Sequence, residues 1–280
     1  MRRSESHAPP GAEFGDDPAI ASLLARVNDR FGPSVLGVVV YGSYLRGERD
    51  TLIDFYVLLA SFSGAFGSRW QEIAGTVLPP NVYYLNAGEA RCKCTVMCLE
   101  QLERAVASDF HPYFWARFCQ PFAIAQVASR QVRERLEALR RQAVRTFLTH
   151  TYRGQSDARE VFVDGFALTY RCEIRPESGQ RAEQLYRANA EYFDTVFAEM
   201  GPPPWPRSGL WRWRAFVGKM LSVLRIVKAG LTFDDPLDYV VWKTERHSGV
   251  RIEPTDRQRR YPLIFGWSLL WKLYRRGGFR

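Results

Sequence analysis

The feature that most constrains this chain is a pair of apolar runs joined through a glycine turn. The first run, Val35 to Tyr41, ends in Gly42-Ser43, and the second, residues 52–59, carries one carboxylate, Asp54. Apolar runs of this length that are bounded by turn residues are typical of β-strands. The stretch therefore predicts a strand, a tight turn, a polar loop and a second strand in immediate succession.

The residue types in this stretch are suited to phosphate chemistry. Glycine lets a backbone approach a phosphate closely, and Ser43 adds a hydroxyl and an N–H donor. A carboxylate such as Asp54 is costly to bury in an apolar strand unless it is paired or binds a metal. A phosphate cradle beside a metal-binding carboxylate favours nucleotidyl transfer. The alternative is a plain turn followed by a strand with a capped Asp at its end.

Composition and charge narrow the class of protein. The chain has 280 residues, of which 46% are hydrophobic and 14% aromatic, so it is long and apolar enough to form a globular core. Its formal net charge of +9 favours an anionic partner, which the charge alone does not identify as a nucleotide, a nucleic acid or a lipid surface.

The five cysteines do not indicate a disulfide framework. An odd count without a secretory signal is typical of a reducing compartment. Cys92, Cys94 and Cys98 lie in a segment that alternates like a strand, and they would share one face as small apolar residues. A structural zinc site is the alternative, but no complementary Cys/His pair with zinc spacing follows.

The order of predicted elements indicates an α+β protein, with a small mixed sheet and helices on one side of it, followed by a mainly helical region. The expected division is a disordered leader at 1–16, a sheet domain at 17–127, a helical domain at 128–256 and an amphipathic C-terminal helix at 257–280. Strands are predicted at 35–41, 52–59, 82–85, 91–97 and 122–125, the last at an edge, and helices at 19–30, 68–76, 99–107, 111–118, 132–149, 157–172, 180–199, 211–229 and 236–246.

The C-terminal segment, residues 257–280, combines aromatic and aliphatic side chains with arginines on both sides. No run in the chain reaches the roughly 18 apolar residues that span a bilayer. A helix of this composition is expected to lie in an anionic membrane interface. The alternative is an aromatic helix docked on the core.

The glycine turn and the strand after it resemble the signature of polymerase-β-type nucleotidyltransferases. That signature has Gly-Ser, a loop that often contains Arg-Gly, and Asp-x-Asp on a strand. Gly42, Ser43, Arg46 and Gly47 match it. The Asp pair departs from it, because Asp54 is accompanied by Tyr56 in one alignment and by Leu52 in the other. One of the two metal-binding carboxylates is therefore missing from its usual place.

Further segments resemble one branch of that superfamily, the mitochondrial-type phosphatidate cytidylyltransferases, also described as translocator assembly and maintenance proteins. The resemblance is distant and covers most of residues 35–195. The matching segments are Tyr41-Gly42-Ser43, Leu52-Ile53-Asp54-Phe55, Val82-Tyr83-Tyr84, Lys93-Cys94-Thr95-Val96, Phe114 to Pro121 and Tyr170 to Arg175. The chain departs from the family at Arg171-Cys172, Glu173 and Gln120, which leaves the acceptor lipid open.

The resemblance implies a nucleotidyltransferase-fold domain followed by a helical, winged-helix-like domain, with Mg²⁺, CTP and phosphatidate as the ligands. Asp54 is then the metal ligand, and Tyr41, Gly42, Ser43, Arg46 and Lys93 bind the nucleotide. Lys93 stands on an apolar strand, where a charged ammonium group is unusual unless it is paired with an anion. The alternative for Lys93 is a solvent-facing lysine on an edge strand.

Two further groups of residues are candidates for the catalytic and acceptor sites. Glu173 and Arg175 are predicted catalytic residues, and Arg175 is also a candidate fork for phosphate, with a structural ion pair as the alternative. Lys243, Arg246 and His247 would share one face of a helix and hold the lipid phosphate. The alternative is that these three residues are cations at the C-terminal end of a helix, where the helix dipole stabilises positive charge.

Three functions remain open from the sequence. The first is transfer of the cytidylyl group from CTP to phosphatidate by an enzyme that is cytoplasmic and peripheral on the inner face of the cell membrane, without a nucleic-acid partner. The second is nucleotidyl transfer to a soluble small molecule or a nucleic-acid end. The third is a catalytically inactive nucleotide- or lipid-binding protein, which the missing carboxylate favours.

Overall fold

The structure is a computed structural model that describes residues 14, 17–48, 52–63, 65–66, 68–174, 180–207, 209–232 and 255. The elements in order are α1 (Pro18–Phe31), β1 (Val35–Tyr41), β2 (Ile53–Leu59), α2 (Arg69–Val77), β3 (Asn81–Ala87), β4 (Ala90–Cys98), α3 (Leu99–Ser108), α4 (Trp115–Phe118), β5 (Ala123–Val127), α5 (Arg130–Thr151), α6 (Ala158–Tyr170), α7 (Gln180–Arg187), α8 (Ala190–Met200) and α9 (Trp211–Thr232). The predicted leader (1–16, apart from Phe14), the helix at 236–246 and the C-terminal segment lie outside the described residues.

The strands form one mixed sheet in the order β3-β4-β2-β1-β5. Strands β2 and β4 are parallel, and the other neighbouring pairs are antiparallel. The α+β class and the mixed sheet predicted from the sequence are confirmed, and β5 stands at an edge as predicted. The apolar run 52–59 becomes β2 in the interior of the sheet, which explains its nearly continuous apolar character.

Helices cover both faces of the sheet, whereas the sequence predicts helices on one side only. Phe31 of α1 contacts the ring of Tyr83 on one face, with ring centroids 5.8 Å apart. On the opposite face, Phe118 of α4 contacts Tyr56 at 4.7 Å. Because side chains alternate along a strand, these two contacts place α1 and α4 on opposite sides. The site face, defined as the face that carries Tyr56, is thereby covered by α4.

Helix α1 also holds the glycine turn in place. Its N-cap, Asp17, accepts hydrogen bonds from the backbone N–H groups of Ala19 and Ile20 at 3.1 and 3.2 Å, as expected for an N-terminal capping carboxylate. The second carboxylate oxygen of Asp17 accepts a hydrogen bond of 2.6 Å from the hydroxyl of Tyr44, which lies directly after Gly42-Ser43. One side chain therefore fixes both the helix start and the turn.

Two predicted helices differ from the structure. The helix predicted at 111–118 is a single turn, α4, whose Trp115 donates its indole N–H to the carbonyl of Asp109 in the preceding loop. The helix predicted at 180–199 is broken into α7 and α8. The side-chain amide of Asn189 donates to the carbonyl of Leu185 at 3.0 Å, a local bond that competes with the helical pattern.

The long helix α5 joins the helical region to the sheet through a shared core. Arg135 forms a two-pronged ion pair with Glu103 of α3, with N–O distances of 2.8 and 2.7 Å. Arg140 donates to the carbonyl of Phe122 at 3.0 Å, just before β5. Buried residues of β1 to β5 and of α5 to α8 belong to one continuous apolar cluster. The helices therefore pack directly on the sheet that carries the site.

The structure also bears on two smaller predictions, which concern the cysteines of β4 and membrane-spanning helices. Cys92 and Cys94 point to the same face of β4 and are fully buried, with their Sγ atoms 3.4 Å apart. This confirms their interpretation as small apolar residues of one face. Among the helices that the structure describes, none is both long and apolar enough to cross a bilayer.

Candidate active site

The glycine turn lies directly against Asp54. Gly42 has φ +87° and ψ −149°, a conformation that is essentially restricted to glycine. A β-carbon on Gly42 would lie 3.1 Å from Oδ2 of Asp54. Ser43 to Arg46 then form one turn of 3₁₀ helix, which Gly47 ends in the left-handed conformation. The predicted proximity of the Gly42-Ser43 turn to the Asp54 carboxylate is thus present in the fold.

Three predicted site residues stand side by side on neighbouring strands. Tyr41 of β1 is paired with Asp54 of β2, and Asp54 is paired with Lys93 of β4. Residues that are paired across strands point to the same face of a sheet, here the site face. The structure therefore brings together the hydroxyl, carboxylate and ammonium groups that the sequence separates by up to 52 positions (93 minus 41).

Lys93 is not on an edge strand. Strand β4 lies between β3 and β2, and Lys93 is partly buried. The alternative of a solvent-facing edge lysine is therefore wrong. An ammonium group in the middle of a sheet beside a carboxylate has an electrostatic role, either in balancing Asp54 or in holding an anion next to it.

A second row of polar groups lies behind the first on the same face. Tyr56 and Thr95 are paired across β2 and β4, two residues beyond Asp54 and Lys93. Their hydroxyl oxygens are buried and have no hydrogen-bond partner of regular geometry among the described residues. Tyr56 lies beside Arg117 and Thr95 beside Tyr41, so both hydroxyls belong to the polar cluster on this face.

Arg117 of α4 covers the site face from above. Its guanidinium lies 4.5 Å from the ring centroid of Tyr113 and 5.8 Å from that of Tyr41. Nη1 donates to the hydroxyl of Tyr113 at 3.4 Å, and Nη2 lies 3.7 Å from a carboxylate oxygen of Glu173. The side chains of Arg117 and Glu173 are only 13% and 15% exposed. A nearly buried ion pair of this kind fixes the position of both groups.

The predicted catalytic residue Glu173 therefore lies at the site face, but not on a helix. Helix α6 ends at Tyr170, and Glu173 follows in a turn whose backbone N–H donates to the carbonyl of Tyr170 at 3.1 Å. The predicted helix 157–172 is slightly too long at both ends. Glu173 thus forms an ion pair with Arg117. The structural ion pair that is the alternative for Arg175 stays a prediction, because Arg175 lies outside the described residues.

The site is electropositive around Tyr113. Burial opposes ionisation of this phenol, but the neighbouring Arg117, Lys93 and Arg225 lower its pKa below the usual value. Tyr41 shows the opposite effect: burial and the negative charge of Asp54 raise its pKa well above the usual value of 10. The cations around Tyr113 therefore favour negative charge at that position.

A narrow cleft opens beside Tyr113 toward α9. It is lined by His111, Pro112, Tyr113, Cys172, Glu173, Gly218, Ser222 and Arg225, which pack so closely that no room is left for a water molecule. Arg225 stacks on Tyr113 at 4.2 Å and donates to the carbonyl of Pro79 at 2.8 Å, while its buried Nη1 has no hydrogen-bond partner among the described residues. Small-molecule sites usually enclose about 300–1,000 Å³, so in this structure the cleft is packed too tightly to hold a ligand.

The residues present fit a magnesium ion that is bound together with a substrate. Within the described parts of the chain, no group of three or more His, Cys, Asp or Glu side chains is placed to hold a metal ion. Mg²⁺ is commonly held by one or two carboxylates together with substrate phosphates and water. Asp54, beside the glycine turn, can supply such a carboxylate, while Glu173 is paired with Arg117.

Comparison with known proteins does not assign a function to this site. No model of a known protein family matches the chain. No curated protein has a significantly similar sequence.

Other predicted site residues are placed differently or not described. Arg46 forms an ion pair with Glu48 at 3.6 Å. Arg175, Lys243, Arg246 and His247 lie outside the described residues, so the predicted lipid-phosphate site stays a prediction.

Sequence reasoning missed Arg117, Tyr113 and Arg225 as site residues. Arg117 belongs to a segment that supported the family resemblance, and that position was a usable signal. Tyr113 and Arg225 reach the site only through tertiary packing of the loop before α4 and of α9. His111 is buried at the cleft with its pKa lowered to about 4 by burial and by Arg225.

Proposed function

We propose that this protein is a metal-dependent nucleotidyltransferase that transfers the cytidylyl group of CTP to phosphatidate and releases pyrophosphate. The observation that carries the proposal is the contact of the Gly42-Ser43 turn with Asp54, beside Lys93. A backbone turn without a β-carbon, a carboxylate and an ammonium group in one row provide what a metal-bound triphosphate requires.

The choice of nucleotide and acceptor rests on the resemblance to mitochondrial-type phosphatidate cytidylyltransferases. In this proposal the five-stranded sheet is a nucleotidyltransferase fold, and the helices from α5 onward belong to a winged-helix-like domain. The protein is peripheral on the cytoplasmic face of the cell membrane, where its acceptor resides. The net charge of +9 supports an anionic partner.

Each residue of the site has a defined role in this reaction. The backbone N–H groups at Gly42 and Ser43 bind phosphate oxygens, and Lys93 neutralises their charge. Asp54 would hold the metal ion beside the phosphate-binding turn. Arg117, which Glu173 fixes in place, presents its positive charge to the charge that develops during transfer. Mg²⁺, when bound, stabilises the pyrophosphate leaving group.

The acceptor needs little help from a base. A phosphate monoester is already ionised at neutral pH and can attack the α-phosphorus in line with the leaving pyrophosphate. One phosphorus–oxygen bond forms to the lipid phosphate as another breaks to pyrophosphate, and no proton has to be removed from the nucleophile. A site with one metal-binding carboxylate and without a free histidine base is compatible with this chemistry.

The decisive experiment measures turnover with defined acceptors. The full chain is incubated with each labelled nucleoside triphosphate, Mg²⁺ and phosphatidate vesicles, and the lipid product and pyrophosphate are quantified. We expect CTP and phosphatidate to give both products. Asp54→Asn should reduce turnover by about a hundredfold or more, the usual scale for removing an electrostatic group from an active site.

A matched control is Asp164→Asn, which removes an exposed carboxylate on α6. The control should keep full activity. Equal turnover in the parent and in Asp54→Asn at saturating Mg²⁺ would contradict the role of Asp54. Binding of CTP without release of pyrophosphate under any condition would instead identify a nucleotide-binding protein that does not catalyse transfer.

A further inference from the structure

Helix α9 turns three of its five basic side chains toward the protein and most of its large apolar side chains outward. Arg214 and Lys228 face the protein and are only 5% and 7% exposed, and Arg225 faces the same way. This arrangement is the reverse of a surface helix of a globular protein, whose apolar stripe normally faces the core.

The inner cations are held by backbone carbonyls. Arg214 donates to the carbonyl of Phe110, and Arg225 donates to that of Pro79 at 2.8 Å. Lys228 donates to the carbonyls of Leu78 and Pro80, the latter at 2.6 Å, and to Oδ1 of Asn81 at 3.0 Å. These bonds attach α9 to the entry of β3, so the orientation of the helix is fixed by specific polar contacts and not by an apolar inner face.

The outer face is a continuous apolar stripe. Its large side chains are between 47% and 63% exposed, and they recur at intervals of three and four residues. The members are Trp213, Phe216, Met220, Val223, Leu224, Ile226 and Val227. From Trp213 to Val227 the stripe is about 21 Å long at 1.5 Å per residue. Contiguous exposed apolar surface of this extent marks an interaction site.

The charged side chains of α9 itself are all basic. Arg212 and Lys219 are exposed and lie two helical turns apart along one edge of the stripe. No Asp or Glu occurs between Glu199 and Asp234. A partner that covers this face must therefore be apolar at its centre and anionic at its margin.

We propose that the outer face of α9 docks into the interface of an anionic lipid bilayer, with the helix lying in the plane of the membrane. The stripe buries its aromatic and aliphatic side chains at the acyl boundary, while Arg212 and Lys219 contact lipid phosphates. The choice of a lipid surface as the partner rests on the proposed function, because transfer to phosphatidate and docking of α9 both require a membrane. Docking itself needs neither a nucleotide nor turnover.

Other occupants fit this face less well. The chain's own residues 257–280 contain Arg and Lys but no Asp or Glu, so they repel the cations of α9. A second copy of the protein brings the same cations to the interface. A nucleic acid satisfies the cations but gains little from a stripe of seven apolar side chains. Of these four occupants, only the lipid interface provides both an apolar layer and anionic groups.

The first test removes the apolar anchor from the full chain. Trp213→Gln/Phe216→Gln is compared with the parent by flotation with vesicles of phosphatidylcholine and phosphatidylglycerol. We expect the partition coefficient to fall by about tenfold or more, which corresponds to about 1.4 kcal/mol. The matched control is Ile73→Gln/Val77→Gln on α2, whose side chains are 54% and 77% exposed. This control should bind vesicles as the parent does.

The second test compares two double variants that lower the net charge by the same amount. Arg212→Gln/Lys219→Gln and Arg141→Gln/Arg145→Gln each lower the positive charge by two, and all four side chains are exposed. Only the α9 pair should weaken binding to phosphatidylglycerol vesicles, by about fivefold per charge, since each basic residue near an anionic surface contributes about 1 kcal/mol. Neither pair should matter on phosphatidylcholine alone.

Several outcomes would overturn the assignment. Parental vesicle binding by both α9 variants, or an equal loss in the α2 and α5 controls, would show that α9 has no special part. A loss of nucleic-acid binding or of self-association in the α9 variants, without a loss of vesicle binding, would identify a different partner. Activity on a soluble short-chain phosphatidate tests the proposed function separately, and circular dichroism confirms that each variant is folded.

Discussion

The position of a β-carbon on Gly42 lies 3.1 Å from a carboxylate oxygen of Asp54, so the turn and the carboxylate share one small space. Gly42→Ala should lower stability by about 1–3 kcal/mol, because its backbone conformation is strained for any other residue. It should also reduce CTP turnover, because the new methyl group displaces Asp54. Urea denaturation and product formation measure the two effects.

The matched control for this substitution is Gly88→Ala in the hairpin between β3 and β4. Gly88 also has a positive φ, +61°, but no atom lies within 4 Å of its β-carbon position. It should lose stability and keep activity. If both alanine variants lose activity equally, the effect is one of general stability and the contact with Asp54 has no functional part.

Lys93→Gln and Ser43→Ala should each weaken CTP binding, because both groups are expected to contact phosphate. For Lys93 the expected loss of affinity is roughly tenfold, the scale of a hydrogen bond to a charged group. Titration calorimetry with CTP and Mg²⁺ measures it. Lys219→Gln, which removes an exposed lysine of α9, serves as the charge control. Unchanged affinity in both site variants would leave the glycine turn with a structural role only.

The nearly buried pair of Arg117 and Glu173 predicts strong coupling between these residues. Arg117→Met leaves Glu173 without this partner and should cost about 3 kcal/mol of unfolding free energy, as expected for a broken buried ion pair. The double variant Arg117→Met/Glu173→Gln should recover part of that loss. Urea denaturation of the parent, the single variants Arg117→Met and Glu173→Gln, and the double variant completes the cycle. Additive effects would show that the two side chains do not interact.

Asp109 and His111 predict two opposite pH dependences. Their side chains lie 3.6 Å apart; burial raises the pKa of Asp109 to about 6, and burial with Arg225 lowers that of His111 to about 4. Between about pH 4 and 6, the Asp109 carboxyl binds more protons in the folded state than in the unfolded state, so its contribution raises the free energy of unfolding as the pH falls. The His111 imidazole binds fewer protons in the folded state than in the unfolded state, so its contribution lowers the free energy of unfolding as the pH falls. In the parent the two contributions nearly cancel.

Single variants should separate these contributions. His111→Asn should become more stable as the pH is lowered from about 6 to 4, and Asp109→Asn should become less stable over the same range. Thermal or urea denaturation at several pH values measures the slopes relative to the parent. Slopes of the same sign in both variants would contradict the interpretation of the pair.

Gly218 allows α9 to approach the turn after α6. A β-carbon on Gly218 would lie 2.4 Å from the backbone oxygen of Cys172, too close for any real contact. Gly218→Ala should therefore push α9 outward and lower stability by about 1–3 kcal/mol, as overpacking does. Gly209→Ala, where no atom lies within 4 Å, is the control. A parental unfolding curve for Gly218→Ala would show that α9 is not packed at this point.

Local pattern and tertiary contact explain which parts of the site could be predicted. The strand, the glycine turn and Asp54 were predictable because they are adjacent in sequence. The place of Lys93 beside Asp54 depends on the parallel register of β2 and β4, which is set by a crossover and not by local spacing. The interpretation of Lys93 as an edge residue was open for that reason.

Helix α9 shows why the other parts of the site were missed. Its periodicity predicts a helix at 211–229, and the structure confirms one there. The usual rule then places the apolar stripe inside and the cations outside. Here Arg214, Arg225 and Lys228 find backbone carbonyls on the protein side, and no pattern within α9 could reveal those partners. Arg225 was therefore not considered for the site.

The cleft beside Tyr113 is bounded by Gly218, Ser222 and Arg225 from the inner side of α9. A single helix is only about 10–12 Å thick, side chains included. If the outer side rests at the acyl boundary, the inner side of α9 stands about one helix diameter above the hydrocarbon, beyond a headgroup layer that is roughly 5–7 Å thick. A lipid phosphate would then have to rise several ångströms out of the headgroup layer to reach Arg225. The distance a substrate must travel is thus determined by the width of one helix.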